Sequence, residues 1–240
     1  LFTEEYKVPL LPPAIAAFMG TAGEIVLPPL LAIGLAGRFP GAPDIERFWD
    51  NLKNGVDSIS EIPAERWAHL QYYSRDRSLK GKINSKWGGF IDDVDRFDPL
   101  FFNISPRDAE RMDPQERIFL ETAWHTLEDA GYDRAALQRH YQGKMGVFVG
   151  VMHGEYLLYT RSAAADCTDD AVDASFGSIA NRVSYVFDCS GPSMAIDTIC
   201  SSSLTALHLA VQSLKRGECR VALAGGVNLS LHPNKYFIQS

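Results

Sequence analysis

An α/β fold with a mostly parallel sheet is what this 240-residue sequence predicts, and three segments carry the prediction. Around Cys200, a strand pattern in Met194, Ile196 and Ile199 follows the turn Gly191-Pro192-Ser193 and runs straight into a helix. That helix places Leu204, Leu207, His208, Val211 and Leu214 on one face at three- and four-residue spacing. Met145 to Val151 reads as a glycine-bounded hydrophobic strand, and a well-signalled helix begins behind Asp113. Strands alternating with helices imply crossover connections and a sheet covered on both sides.

The elements follow in chain order. Leu30–Gly34 reads as a first buried strand that breaks into the loop Gly37-Arg38-Phe39-Pro40-Gly41. Residues 44–54 form an expected helix with Ile45, Phe48, Trp49 and Leu52 on one face. From about residue 57 to 112 aromatics, charges and turn residues alternate without a period, which suits a loop-rich insertion. The next helix has Asp113 as N-cap, Pro114 at the first position and Glu116 completing a capping box. Its expected buried stripe is Leu120, Ala123, Trp124 and Leu127, and Gly131 ends it. A further helix is expected over about 175–185. The Cys200 helix stops at Lys215, Arg216 and Gly217, and a strand over Val221–Leu229 follows. Gly225-Gly226 inside that strand marks a close backbone approach.

The domain organisation expected is a linker over 1–29 and one domain over 30–240. The charge-free run Val8–Gly23 is broken by Pro9, Pro12 and Pro13 and falls short of the about 20 residues a membrane span needs. Because the chain opens at Leu1 rather than a methionine, it is expected to be part of something longer.

The composition is that of a soluble globular domain, 46% hydrophobic with a formal net charge of −7. The acidic balance, with no basic stripe, argues against nucleic-acid binding. Four cysteines, Cys167, Cys189, Cys200 and Cys219, form no CxxC pair and have no histidine at zinc-ligand spacing, so no metal is expected. A working thiol suits a reducing, cytoplasmic compartment.

Cys200 is the candidate catalytic residue. At a helix start it meets converging N–H groups and the positive end of the dipole, both of which favour thiolate. The bland alternative is a small buried hydrophobe. Ser201, Ser202 and Ser203 lie in no GxSxG elbow and are expected to cap the helix. Gly34-Leu35-Ala36-Gly37 lacks the GxGxxG spacing and reads as a surface turn. A cysteine nucleophile ordinarily needs a histidine partner. His125 and His208 sit in helix patterns, His153 in a loop after a strand, and no motif marks His69, His140 or His232 as that partner.

Taken together, several ordered segments resemble the ketosynthase (β-ketoacyl synthase) domains of modular polyketide synthases. The most specific is Gly191 to Ala210, around Ile199-Cys200-Ser201-Ser202-Ser203. Gly37-Arg38-Phe39-Pro40-Gly41-Ala42, Asp113-Pro114-Gln115-Glu116-Arg117, Glu128-Asp129-Ala130-Gly131-Tyr132, Asn181-Arg182-Val183-Ser184-Tyr185 and Gly225-Gly226-Val227-Asn228 support it. The resemblance implies a thiolase-like fold, of which this chain is the N-terminal half of a two-repeat α/β/α/β/α architecture, working as a homodimer. It implies that Cys200 takes an acyl chain from the phosphopantetheine arm of an acyl carrier protein, with no cofactor bound directly. A malonyl-type extender then decarboxylates and condenses with that thioester. Two histidines and a lysine of the family lie in its second half, which this chain lacks, so alone it has no complete site and exposes an apolar face toward the missing half. Ile199 stands where many relatives carry a smaller residue and is a candidate substrate-binding residue. Val151-Met152-His153-Gly154-Glu155-Tyr156 resembles synthases served by a separate acyltransferase. Two rival readings are a non-condensing acyl-transfer synthase and a carrier-protein docking or scaffold fragment without catalysis.

Overall fold

A computed structural model describes residues 30–163 and 175–240. The linker expected over 1–29 and Cys167 lie outside the described residues. The helices and strands all fall within the unit Ile33–Ser240.

The centre is a three-stranded parallel sheet of β3 (Met145–Gly150), β4 (Ser193–Ile196) and β5 (Val221–Gly226), in the order β4-β3-β5. The register sets Val147 against Ser193 on one side and Leu223 on the other. Every residue of β3 is buried, as expected for a central strand covered on both faces. Its alternation divides the core. Met145, Val147 and Val149 share a cluster with Leu120, Ala123 and Leu127 of α3 (Pro114–Asp129) and with Ile179, Ala180, Val183 and Phe187 of α6 (Phe176–Phe187). Phe148 points the other way, into Ile196 and the alanines Ala206 and Ala210 of α7 (Ser202–Arg216). Helices on both faces of a parallel sheet confirm the α/β class.

Among the expected elements, β3, α3 and α6 form where the periodicity places them. Helix α7 forms too, ending at Lys215, Arg216 and the left-handed Gly217, but with a different buried face. Its residues against the sheet are Ser202, Ala206, Ala210 and Ser213, while Leu204 and Leu207 are 71% and 53% exposed. The cause is distance. A Cβ on Gly150 would lie 2.5 Å from the Ser203 nitrogen, and one on Gly226 would lie 2.9 Å from Ser203 Cβ. A helix seated that close has room only for small side chains on its inner face.

Other expectations are corrected. Residues 30–38 form no strand, and Leu30, Leu31 and Ile33 are exposed. This stretch meets a helix end instead of a sheet edge: Leu35 N–H donates to Asp129 Oδ2 (2.8 Å) and Gly34 lies against Thr126 and Ala130. In α1 (Ile45–Lys53) Trp49 and Leu52 are exposed, and Ile45 and Phe48 only half-buried. The helix is held by its Asp44 cap, by Phe48 stacked on Phe39, and by the buried Asn51, which donates to the Gly41 carbonyl. Strand β4 stops at Ile196, so Ile199 lies beyond it. Strand β5 stops at Gly226 because Val227 N–H reaches the Gly150 carbonyl and Leu229 N–H turns to the Gln115 side chain.

Between residues 57 and 112 only short elements form: the antiparallel pair β1 (Ile59–Glu61) and β2 (Trp87–Gly89), one 3-10 turn, and α2 (Pro106–Arg111). They surround a small core of Ile62, Trp67 and Ile83, against which Tyr236 and Phe237 of α8 (Asn234–Gln239) pack. Helices α4 (Arg134–Tyr141) and α5 (Tyr156–Ala163) complete the chain. No described helix is long and apolar enough to cross a membrane.

Two glycine substitutions separate tight packing from ordinary helix propensity. Gly150→Ala is expected to destabilise the domain by about 1–3 kcal/mol, because the backbone of α7 cannot yield as a side chain can. Gly177→Ala, whose added Cβ meets nothing closer than 3.5 Å, is expected to gain about 0.4–1 kcal/mol. Urea unfolding monitored by circular dichroism measures both.

Candidate active site

Cys200 sits between the end of β4 and the start of α7, in a five-residue elbow. Each bend of that elbow is pinned by a short side chain. Asp197 Oδ1 accepts from Ile199 N–H (2.9 Å). Ser202, buried, accepts from Thr198 N–H (2.9 Å) and donates to the Ile199 carbonyl (2.6 Å). Ser201 Oγ donates to the Thr198 carbonyl (2.8 Å). The serines were expected to cap α7. Ser201 does occupy the N-cap position, but its hydroxyl accepts no helix N–H, and the hydroxyls of Ser201 and Ser202 fasten the elbow behind it.

This bracing holds Ile199 at φ 60°, in the left-handed region. A β-branched residue there is a genuine outlier, costing on the order of 1–2 kcal/mol. Reversing the backbone at position 199 turns the next side chain outward, and Cys200 is exposed. The Ile199 side chain is exposed as well. The bland reading of Cys200 as core filler is thereby corrected: the thiol is at the surface, one residue ahead of the N-cap of a 15-residue helix.

The other two described thiols differ sharply. Cys219 is buried at the far end of α7, its Sγ 3.5 Å from Ser213 Oγ. Cys189 is half-buried, and desolvation, with the neighbouring Asp188 charge adding to it, pushes its pKa up to about 12.

Cys200 and Ile199 open onto a cleft of about 780 Å³. Its wall combines the glycine-rich ends of β3 and β5 with Phe39, Phe90 and Phe119. No histidine lines it among the described residues. His125 is exposed beside Glu128 (3.1 Å), His208 is exposed on α7, His153 buries an Nε2 with no hydrogen-bond partner, and His69 Nε2 lies 3.7 Å from Glu61. Gly225 and Gly226 serve close approach, Gly225 to the Phe119 ring and Gly226 to Ser203. Among the described residues no cluster of His, Cys, Asp or Glu has the makings of a metal site.

Sequence reasoning missed the buried polar hub behind this cleft. Asp113 caps α3 at Gln115 N–H (2.8 Å), and burial raises its carboxyl above the ordinary carboxylate range. Glu116 closes no capping box. Its carboxylate, 1% exposed, instead accepts from Arg182 Nε (2.8 Å) and Ser178 Oγ (2.7 Å) of α6. Gln115 donates to the His153 carbonyl (2.6 Å) and accepts from Leu229 N–H (3.2 Å). Glu155, also buried, collects the N–H groups of Leu231, His232 and Lys235. These links join segments distant in sequence, which only spatial proximity reveals.

Against known families, residues 29–240 match the one described as β-ketoacyl synthase, N-terminal domain. The chain belongs to the β-ketoacyl synthase family. Its relatives include polyketide synthase ThaG of Burkholderia thailandensis, 59% identical over 87% of this chain but only 4% of the relative, and PksL of Bacillus subtilis, 56% identical over 86% and 5%. The chain thus spans a small fraction of the curated relatives it matches. Among solved structures, the oxazolomycin ketosynthase domain from Streptomyces albus superposes with a TM-score of 0.83 at 53% identity, over 87% of this chain and 36% of that one. The ketosynthase from module 6 of the Bacillus subtilis bacillaene synthase gives a TM-score of 0.73 at 40% identity, over 86% and 33%. The fold is therefore thiolase-like, as the sequence resemblance implied.

Alkylation of the native protein with iodoacetamide at pH 8, read by peptide mapping, is expected to label Cys200 ahead of Cys189 and Cys219. Burial shields the latter two, and a pKa of about 12 leaves Cys189 as thiolate in only about one molecule in ten thousand. Replacing Ile199 by asparagine, a residue at ease in the left-handed region, is expected to stabilise the fold by roughly 1 kcal/mol, measured as a raised thermal midpoint.

Proposed function

We propose that this chain supplies the acyl-accepting half of a polyketide synthase ketosynthase, with Cys200 as the nucleophile. One observation carries the reading: an exposed thiol at the start of a long helix, on a braced elbow that opens onto a cleft. The thiol stands one residue ahead of the N-cap of α7, free of any covalent partner. The thiolate attacks the carbonyl of an acyl thioester presented on the phosphopantetheine arm of an acyl carrier protein. The new bond is Cys200 Sγ–acyl; the carrier's carbon–sulfur bond breaks, and its sulfur leaves as thiolate and takes up a proton. The Cys200 amide is the oxyanion donor we assign from this chain.

The second step condenses the acyl group. A malonyl-type thioester on the carrier loses carbon dioxide, and the electron pair left on its α-carbon attacks the Cys200 thioester. A carbon–carbon bond forms, the Cys200 carbon–sulfur bond breaks, and a β-ketoacyl carrier departs, leaving Cys200 as the thiolate ready for the next acyl thioester. The groups that assist decarboxylation belong to the second half of the family's domain, so condensation requires that half. The exposed Leu204 and Leu207 on α7 support its docking there, and the working form is read as a homodimer. Ile199, beside the thiol, is assigned to contact with the acyl chain.

In the complete domain, incubation with an acyl-pantetheine thioester and intact-mass analysis should show one acyl adduct on the wild type and none on Cys200→Ala. An adduct persisting in Cys200→Ala would remove Cys200 as the acceptor.

A further inference from the structure

The cleft has a charge pattern that the acyl-transfer scheme does not use. In a chain of net charge −7, its lining contains Arg38, Arg66 and Lys235, and no aspartate or glutamate. Of the three cations, Arg38 alone has a carboxylate partner, and the half-buried Arg66 has one neutral acceptor. Arg38 faces Glu121 (3.7 Å) and donates to the Asp92 carbonyl, and Arg66 donates to the Ile91 carbonyl. Lys235 is different. It is 8% exposed, and its ammonium donates to two neutral oxygens, Asn228 Oδ1 (2.9 Å) and Ser230 Oγ (3.1 Å). Among the described residues no carboxylate reaches salt-bridge distance of it, since Glu155 is spent on backbone N–H groups, including that of Lys235 itself.

A buried ammonium with three donors and two neutral acceptors has one hydrogen-bond site left over and no direct ion pair. Burial pulls its pKa below the ordinary lysine range, while the field of Glu155 acts in the opposite direction. An anion in the cleft would satisfy both the free donor and the charge.

Resting on the condensing-enzyme reading, we propose that Lys235, held by Asn228 and Ser230, binds an oxyanion of the incoming carrier-linked substrate, a phosphate or a carboxylate. The phosphate is that of the phosphopantetheine arm, and the carboxylate is that of the extender. The ammonium selects the charged substrate and takes no part in bond making at Cys200.

The test uses the complete domain that contains these residues. Cys200 acylation is timed with an acyl-phosphopantetheine and with the same acyl-pantetheine lacking phosphate, and carbon dioxide release is followed from malonyl-pantetheine. If the anion is the phosphate, the wild type prefers the phosphorylated donor by about tenfold in kcat/KM, Lys235→Met erases the preference, and Lys235→Arg keeps it. If it is the carboxylate, Lys235→Met raises KM for malonyl-pantetheine by about tenfold while acylation by both donors is unchanged. A wild type indifferent to phosphate, with a Lys235→Met variant that handles malonyl-pantetheine normally, overturns the inference. Where Lys235→Met does not fold, the wild type alone decides, because equal binding of malonyl-pantetheine and its methyl ester, with equal use of the two acyl donors, overturns it too. Absence of any adduct at Cys200 sinks the condensing-enzyme reading along with the inference. An adduct formed without discrimination between anionic and neutral substrates sinks the inference alone.

Discussion

The contact on which the rest of the structure depends is that of the first turn of α7 with the glycine ends of β3 and β5. Gly150 and Gly226 bring Ser202 and Ser203 to within a side chain's width of the sheet. That closeness leaves the chain only a short path from β4 to the helix, so the reversal falls on a single residue, Ile199, in a conformation its side chain resists. Ser202 makes the reversal hold, by bonding the backbone on both sides of it. An exposed thiol at a helix start is the outcome. The strain at 199, the small inner face of α7 and the exposure of Cys200 are three expressions of one packing distance.

A second constraint comes from beneath the sheet. The first turn of α3 is buried although it holds Asp113, Gln115, Glu116 and Arg117. Buried polar groups are tolerated when they are bonded, and most of these are. Asp113 caps its helix, Gln115 links the loops after β3 and β5, and Glu116 binds α6. The Arg117 guanidinium lies over the Tyr156 ring, and its buried Nε has no hydrogen-bond partner. The hub fixes the two loops that continue from the sheet toward the cleft, so the site is positioned from behind by polar bonds and from the front by glycines.

The sequence was readable where a segment's burial follows from its own periodicity. β3 is apolar throughout because it is covered on both faces, and α3 buries the stripe its spacing implies, with Trp124 only partly covered. Reading failed where a partner distant in sequence sets the rule. The leucines of α7 look like a core face, yet its fully buried residues are Ser202, Ala206, Ala210 and Ser213, and Leu209 is only partly covered. Glu116 has capping-box spacing, but Arg182 outcompetes the local N–H. Leu30–Gly34 is apolar enough for a strand, but Asp129 takes the Leu35 amide beside it. The placement of Cys200 between a strand and a helix was legible because those segments are contiguous. Lys235, Asn228 and Ser230 were not, since only the burial of α8 turns an ordinary lysine into a solitary cation. Helices α2 and α4 did carry local signals: Ser105-Pro106 and Asp133 are good caps, and both side chains accept helix N–H groups.

Glu155 anchors the strip from Leu231 to Lys235 entirely through main-chain amides. Such a clamp is blind to the identity of the residues it holds. Side chains along that rim can therefore be exchanged over evolutionary time without redirecting the backbone that displays them, so one scaffold can retune what its cavity admits while the sulfur and its braces remain untouched.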